Sequence, residues 1–123
     1  MSETKKILHV EDNFDNRLLV RRLLMASGFE VIEAENATQA MDLLRSTRPD
    51  LILMDINMPD IDGYTLTQEL KSLPALKGVP IIAITANVMK GDRERTLQAG
   101  CDGYIEKPID VDRFIDQITG YLQ

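Results

Sequence analysis

The sequence predicts an α/β domain: an open, parallel sheet of five strands with helices on both faces. Three observations lead there. The runs ILHV at 7–10, LILM at 51–54 and IIAI at 81–84 are almost continuously apolar, as strands are when both faces of a sheet are covered. Segments with apolar side chains at helical spacing lie between the strands, and turn or capping residues separate the two kinds of segment. A chain that alternates strand and helix five times adopts this layering because parallel crossovers are right-handed.

Taken in order, the first strand ends in Glu11-Asp12, and Asp12 or Asn13 is placed to cap a helix with apolar positions Phe14, Leu18, Leu19, Leu23 and Leu24. Gly28 stands where a helix C′ glycine belongs. VIEA at 31–34 is a weaker strand, as sheet edges tend to be. Asn36 followed by Gln39 has the spacing of a capping box for a second helix with Ala37, Ala40, Met41 and Leu44 inward, and Pro49 stops it. The third strand runs into Asp55. Asp60 and Asp62 then belong to the turn into a third helix, where Gly63 gives freedom and Asp62 is placed to cap. After the fourth strand and Thr85, TANVMKGDRERTLQAG supplies a helix with Met89 and Leu97 facing the core and Gly100 at its C′ position. YI at 104–105 is the second weak strand, and Asp110 is placed to cap a last helix carrying Val111, Phe114, Ile115, Ile118 and Leu122.

Length and composition narrow the function. The 123 residues fit a single domain, 1–123, large enough to bury a core without disulfides or a structural metal. With 14 basic against 20 acidic residues the net charge is −6, which disfavours binding to a phosphate backbone, so no nucleic-acid partner is expected. The longest apolar runs are far short of the roughly 20 residues that cross a bilayer. The start MSETKK has no apolar signal-peptide segment, so a cytoplasmic protein without membrane association is expected. Cys101 is the only cysteine, which excludes an internal disulfide and a CxxC pair and leaves a packing role.

In such a sheet ligands bind beyond the carboxyl ends of the strands. Those ends carry Glu11-Asp12, Asp55, Thr85 and Glu106-Lys107-Pro108. Singly, each has an ordinary explanation: Asp12 or Asn13 as a cap, Asp55 as the start of a turn, Thr85 as a strand residue, Lys107 as a solvated charge. Together they point to a site. Glu11, Asp12 and Asp55 repel one another when ionised, so their convergence requires a cation or a raised pKa. Oxygen ligands favour Mg2+ over zinc, and Mg2+ characteristically takes one or two carboxylates, keeps waters and binds a phosphate oxygen. Lys107 then faces the same anion and Thr85 offers it a hydroxyl. A carboxylate so placed can attack phosphorus and form an aspartyl phosphate.

The motifs ILHVEDN, DLILMDINMPDIDG, PIIAITA and AGCDGYIEKPID, in this order and spanning essentially the whole chain, resemble those of the response-regulator receiver domains of two-component signalling. The resemblance implies the flavodoxin-like (CheY-like) fold with strand order 2-1-3-4-5. It further implies that Asp55 is the phosphoacceptor, taking its phosphoryl group from a histidine kinase or a histidine phosphotransfer protein. Mg2+ would be held by Asp12, Asp55 and the Asn57 backbone carbonyl, with Glu11 acting through water. Thr85 would be the switch hydroxyl, Lys107 the phosphate partner and Tyr104 the switch aromatic, and the Lys107-Pro108 peptide is usually cis in this family. Glu11 departs mildly from the family, where Asp is common, and reaches further toward the metal's waters.

The segment after the fourth strand resembles that of single-domain receivers of the DivK type and of receivers from hybrid histidine kinases. The downstream protein target is expected on the face formed by the fourth helix, fifth strand and fifth helix. Such a domain is a phosphorylatable switch without an output domain, catalysing only its own phosphotransfer and slow autodephosphorylation. An aspartate-nucleophile phosphohydrolase is the alternative, but it usually carries an aspartate two residues after the nucleophile, where this chain has Asn57, whose amide cannot shuttle protons. A flavin site is disfavoured because EDNFDN presents acids where phosphate needs donors. His9, inside the first strand, reads as a packed structural histidine.

Overall fold

Strands β1 (Lys6–Val10), β2 (Glu30–Ala34), β3 (Leu51–Asp55), β4 (Ile81–Thr85) and β5 (Gly103–Glu106) form one sheet in the order β2-β1-β3-β4-β5. Every pairing is parallel, with Ile7 beside both Val31 and Leu51, Ile52 beside Ile81, and Ile82 beside Gly103. The computed structural model describes residues 4–56, 63–86 and 92–122. Its helices are α1 (Phe14–Ala26), α2 (Ala37–Leu44), α3 (Gly63–Lys71), α4 (Asp92–Gln98) and α5 (Phe114–Leu122). The two weakly apolar runs are the sheet edges β2 and β5, and the continuous runs belong to the strands between them.

Side chains alternate across a sheet, and here the alternation divides the core in two. Leu8, Val10, Ile52, Met54, Ile81 and Ala83 pack against Ala40 of α2 and Leu66 and Leu70 of α3. On the other face Ile7, Leu51, Leu53, Ile82, Ile84 and Ile105 pack against Val20 and Leu24 of α1 and Phe114 and Ile118 of α5. Each fully buried Leu, Ile or Phe among them contributes about 1.5–3 kcal/mol. The same alternation continues to the strand ends: Asp55 follows the Leu51, Leu53 row and Thr85 the Ile81, Ala83 row. The carboxyl edge of the sheet therefore gathers side chains from both faces.

Helix details depart from the sequence reading. The buried row of α1 is Arg17, Val20 and Leu24, whereas Phe14 and Leu19 are 58% and 37% exposed. At 3.6 residues per turn Leu19 lies about 100° round the helix from Val20 and about 140° from Leu24, so a row chosen by apolar type alone mixes two faces. Leu97, expected in the core, is 50% exposed on α4, and Val111 is 52% exposed in the turn before α5. Asn13 caps α1, its Oδ1 accepting from the Asn16 N–H at 2.9 Å. Asn36 Oδ1 accepts from the Gln39 N–H at 2.8 Å, but Gln39 Oε1 accepts from the Glu35 N–H rather than from Asn36, one residue off a capping box. Helix α2 ends at Leu44, well before Pro49, as the Ser46 and Thr47 N–H groups turn back to the Leu43 carbonyl. Asp110 starts the turn into α5 through its Oδ1, which accepts from Asp112 N–H at 3.0 Å, and its carbonyl, which accepts from Phe114 N–H. Gly28, at φ +88°, closes α1 in the left-handed region that other residues avoid.

Candidate functional site

Where β1 and β3 end side by side, Glu11 and Asp55 are 1% and 2% exposed. Asp12 follows Glu11 at the surface. One carboxylate oxygen from each of Glu11, Asp12 and Asp55 lies within 4.8 Å of the others. Lys107 comes in from the end of β5: its Nζ is 3.4 Å from Asp55 Oδ1 and 3.5 Å from Glu11 Oε1. The stem of that lysine is held from the backbone, since the Lys107 N–H donates to the Thr85 carbonyl at 2.8 Å, and the Lys107-Pro108 peptide is cis.

Bringing buried carboxyl groups together has an electrostatic consequence. Glu11 is pushed up to about 8, first by burial, then by its hydrogen bond to Asp55 and by the Asp55 charge, against the opposing pull of Lys107 and the Asn13 N–H. The pair therefore retains a proton near neutral pH unless a cation takes its place. Three clustered oxygen donors, two of them buried and one open to water, suit a small hard cation that keeps part of its water.

Thr85 is fully buried at the end of β4, one strand over from Asp55. Tyr104 stands beside Ala83 on β5, two residues behind Thr85, half-buried against the cluster on the same face. Thus Glu11, Asp12, Asp55, Thr85 and Lys107 meet at one rim, with Tyr104 behind it. Asn57, Asp60, Asp62 and Met89 lie outside the described residues. His9 is fully buried with neither ring nitrogen hydrogen-bonded among the described residues, and burial pulls its pKa down to about 4, so it stays a neutral packing group.

One residue of the site escaped the sequence reading. Arg17, 6% exposed, donates from Nη1 to the Glu11 carbonyl at 2.9 Å and from Nη2 to Glu35 Oε1 at 3.0 Å. A groove of about 410 Å³ beside the site is lined by Glu11, Asn16, Leu19, Lys107, Pro108 and Ile109. A larger cavity of about 550 Å³ lies at the opposite end of the sheet, where Lys71 pairs with Asp102 at 2.6 Å and Arg48 donates to the Ala75 and Lys77 carbonyls.

Residues 7–119 match the family described as the response regulator receiver domain. The chain is a response-regulator receiver domain. This receiver is 51% identical over 118 residues to the polar-differentiation response regulator DivK of Brucella anthropi, a match covering 96% of each chain. It superposes with a TM-score of 0.88, at 36% identity and with 98% of both chains covered, on the receiver domain of a sensor histidine kinase from Pseudomonas aeruginosa, a structure with a magnesium ion coordinated in its active-site cleft. A putative response regulator from Chloroflexus aurantiacus gives a TM-score of 0.92 at 26% identity, covering 98% of each chain. The receiver is thus a DivK-like module of two-component signalling. Among its described residues no helix is long and apolar enough to cross a membrane.

Proposed function

We propose that Asp55 accepts a phosphoryl group from the phosphohistidine of a histidine kinase or histidine phosphotransfer protein, and that a downstream protein distinguishes the phosphorylated from the unphosphorylated form. The observation that carries this reading is the buried Asp55 carboxylate, clustered with Glu11 and Asp12 and 3.4 Å from the Lys107 ammonium. Asp12, Asp55 and the Asn57 backbone carbonyl would hold Mg2+, with Glu11 acting through water. When bound, Mg2+ supplies positive charge that offsets the oxygens of the incoming phosphoryl group.

Asp55 then attacks phosphorus in line: a P–O bond forms to its carboxylate, the P–N bond breaks, and its electron pair stays on the imidazole. Lys107, which the resting site pairs with Glu11 and Asp55, would pair with a phosphoryl oxygen. The Thr85 hydroxyl donates to another, and Tyr104, packed behind Thr85 on the same face, follows the space that movement leaves. A target docking on α4, β5 and α5 would sense the altered face. This activity belongs in the cytoplasm, with protein partners rather than nucleic acid or membrane.

The test is intact-mass analysis after incubation with acetyl phosphate. Wild type should gain one phosphoryl group only with Mg2+, and Asp55→Asn should gain none. Equal labelling of the mutant would remove Asp55 from its role. Efficient, Asp55-dependent multiple turnover of small phosphate esters would instead make the protein a phosphohydrolase.

A further inference from the structure

The end of β1 is held by an unusual combination. The Glu11 N–H donates to the Ala34 carbonyl at 2.9 Å, the last rung toward β2. Because β2 stops at Ala34, its ladder offers no N–H to the Glu11 carbonyl, which points the same way. Arg17 supplies the missing donor from α1 and is steadied in turn by Glu35, at the start of the turn into α2. Glu35 is itself tied to α2, its N–H donating to Gln39 Oε1 at 2.7 Å. A guanidinium this deeply buried is expensive to desolvate, and a satisfied helix surface gives no reason for it to be here.

We propose that Arg17 is a positioning residue for the metal site, one that pins the peptide unit between Glu11 and Asp12 and so sets where both carboxylates begin. The peptide is planar, so the Glu11 carbonyl, the Asp12 nitrogen and both Cα atoms move as one body. Fixing the oxygen with Arg17 Nη1 fixes the origin of the Glu11 and Asp12 side chains. This inference rests on the reading of the acidic cluster as a Mg2+ site. It also makes an unexpected claim about sign. As a bare charge, Arg17 repels an incoming cation, and removing it should tighten Mg2+ binding. As a positioning residue, its removal should weaken Mg2+ binding.

The experiment uses the whole chain as wild type, Arg17→Lys, Arg17→Met and Glu35→Ala. Calorimetry reads the Mg2+ dissociation constant where thermal melts in EDTA show each variant folded, and acetyl phosphate labelling of Asp55 is followed against Mg2+ concentration. Arg17→Lys keeps the charge but loses the planar fork that spans Glu11 and Glu35. Its Mg2+ affinity should fall by roughly tenfold, the lower end of what groups that orient metal ligands contribute. Glu35→Ala, at a half-exposed position, should lower affinity by a smaller factor. Labelling should recover to the wild-type rate at saturating Mg2+, which general structural damage would not allow. Wild-type affinity in Arg17→Lys, tighter binding in Arg17→Met, or a lowered plateau with an unchanged Mg2+ requirement would each overturn the positioning role. If Arg17→Met fails to fold, the lysine and Glu35 variants decide. A wild type that binds no Mg2+ overturns the metal-site reading and this inference together, and that result is distinguishable from failure of Arg17 alone.

Discussion

Mg2+ binding should expel a proton from the acidic pair. In the metal-free protein burial and the adjacent Asp55 raise Glu11 from its ordinary 4.5 to about 8, so near neutral pH the pair holds a proton most of the time. A bound cation favours both carboxylates ionised, so binding should release close to one proton at about pH 7 and almost none above about pH 9. Affinity for Mg2+ should accordingly rise with pH, by up to about tenfold per unit well below about pH 8 and less steeply near it, then level off. The sign for stability follows from the same shift. Between 4.5 and about 8 the folded metal-free protein holds more protons than the unfolded chain, so its stability falls as pH rises. The slope is at most about 1.4 kcal/mol per pH unit. Titration calorimetry in two buffers of different ionisation enthalpy counts the released protons directly. Mg2+ affinity and proton release that stay flat from about pH 6.5 to 9 would refute the reasoning.

Three substitutions probe the scaffold. Phe114→Ala, at a fully buried position against α1 and the sheet, should cost about 3–5 kcal/mol in urea denaturation, and a loss below about 1 kcal/mol would contradict the packing described. In Gly63→Ala the new Cβ would meet Ile56 Cα at 2.7 Å and the Asp55 carbonyl at 2.8 Å. Because those neighbours are backbone, the start of α3 must move off the end of β3, costing about 1–3 kcal/mol and slowing phosphorylation of Asp55; unchanged melting and labelling would argue against this close approach. His9 has its pKa lowered by burial from 6.5 to about 4, so across that interval the unfolded chain takes a proton the folded one refuses and stability falls with acid. At about pH 5 this linkage amounts to about 2 kcal/mol, and His9→Leu should gain that much on wild type between about pH 7.5 and 5 in chemical denaturation, whereas an unchanged difference would show that His9 titrates normally.

The central strands were legible because burial on both faces of a sheet leaves little choice but continuous apolar residues, as in LILM and IIAI. The edges were legible by contrast, β2 and β5 being the less apolar runs. Which acids share a rim also followed from strand ends alone, since a parallel sheet delivers every carboxyl end to one edge. That Lys107 comes within reach of Asp55 was implied by chemistry, while its contact with Glu11 and the degree of burial that raises Glu11 are tertiary properties no local pattern carries. Arg17 was invisible for a related reason: an arginine among apolar helix residues reads as the solvated face until the carbonyl it serves is seen. Leu97 and Val111 erred the other way, apolar residues left outside the core by the rotation and ends of their helices.

The most direct measurement is an NMR titration with beryllofluoride, a phosphoryl mimic, in the presence and absence of Mg2+. With Mg2+, amide shifts should centre on Asp55, Ile56 and Lys107 and extend through Thr85 to Tyr104, and Asp55→Asn should abolish them. Shifts of the same pattern in the Asp55→Asn protein, or an adduct that forms equally well without Mg2+, would contradict the assignment of this rim as a metal-assisted phosphoacceptor site.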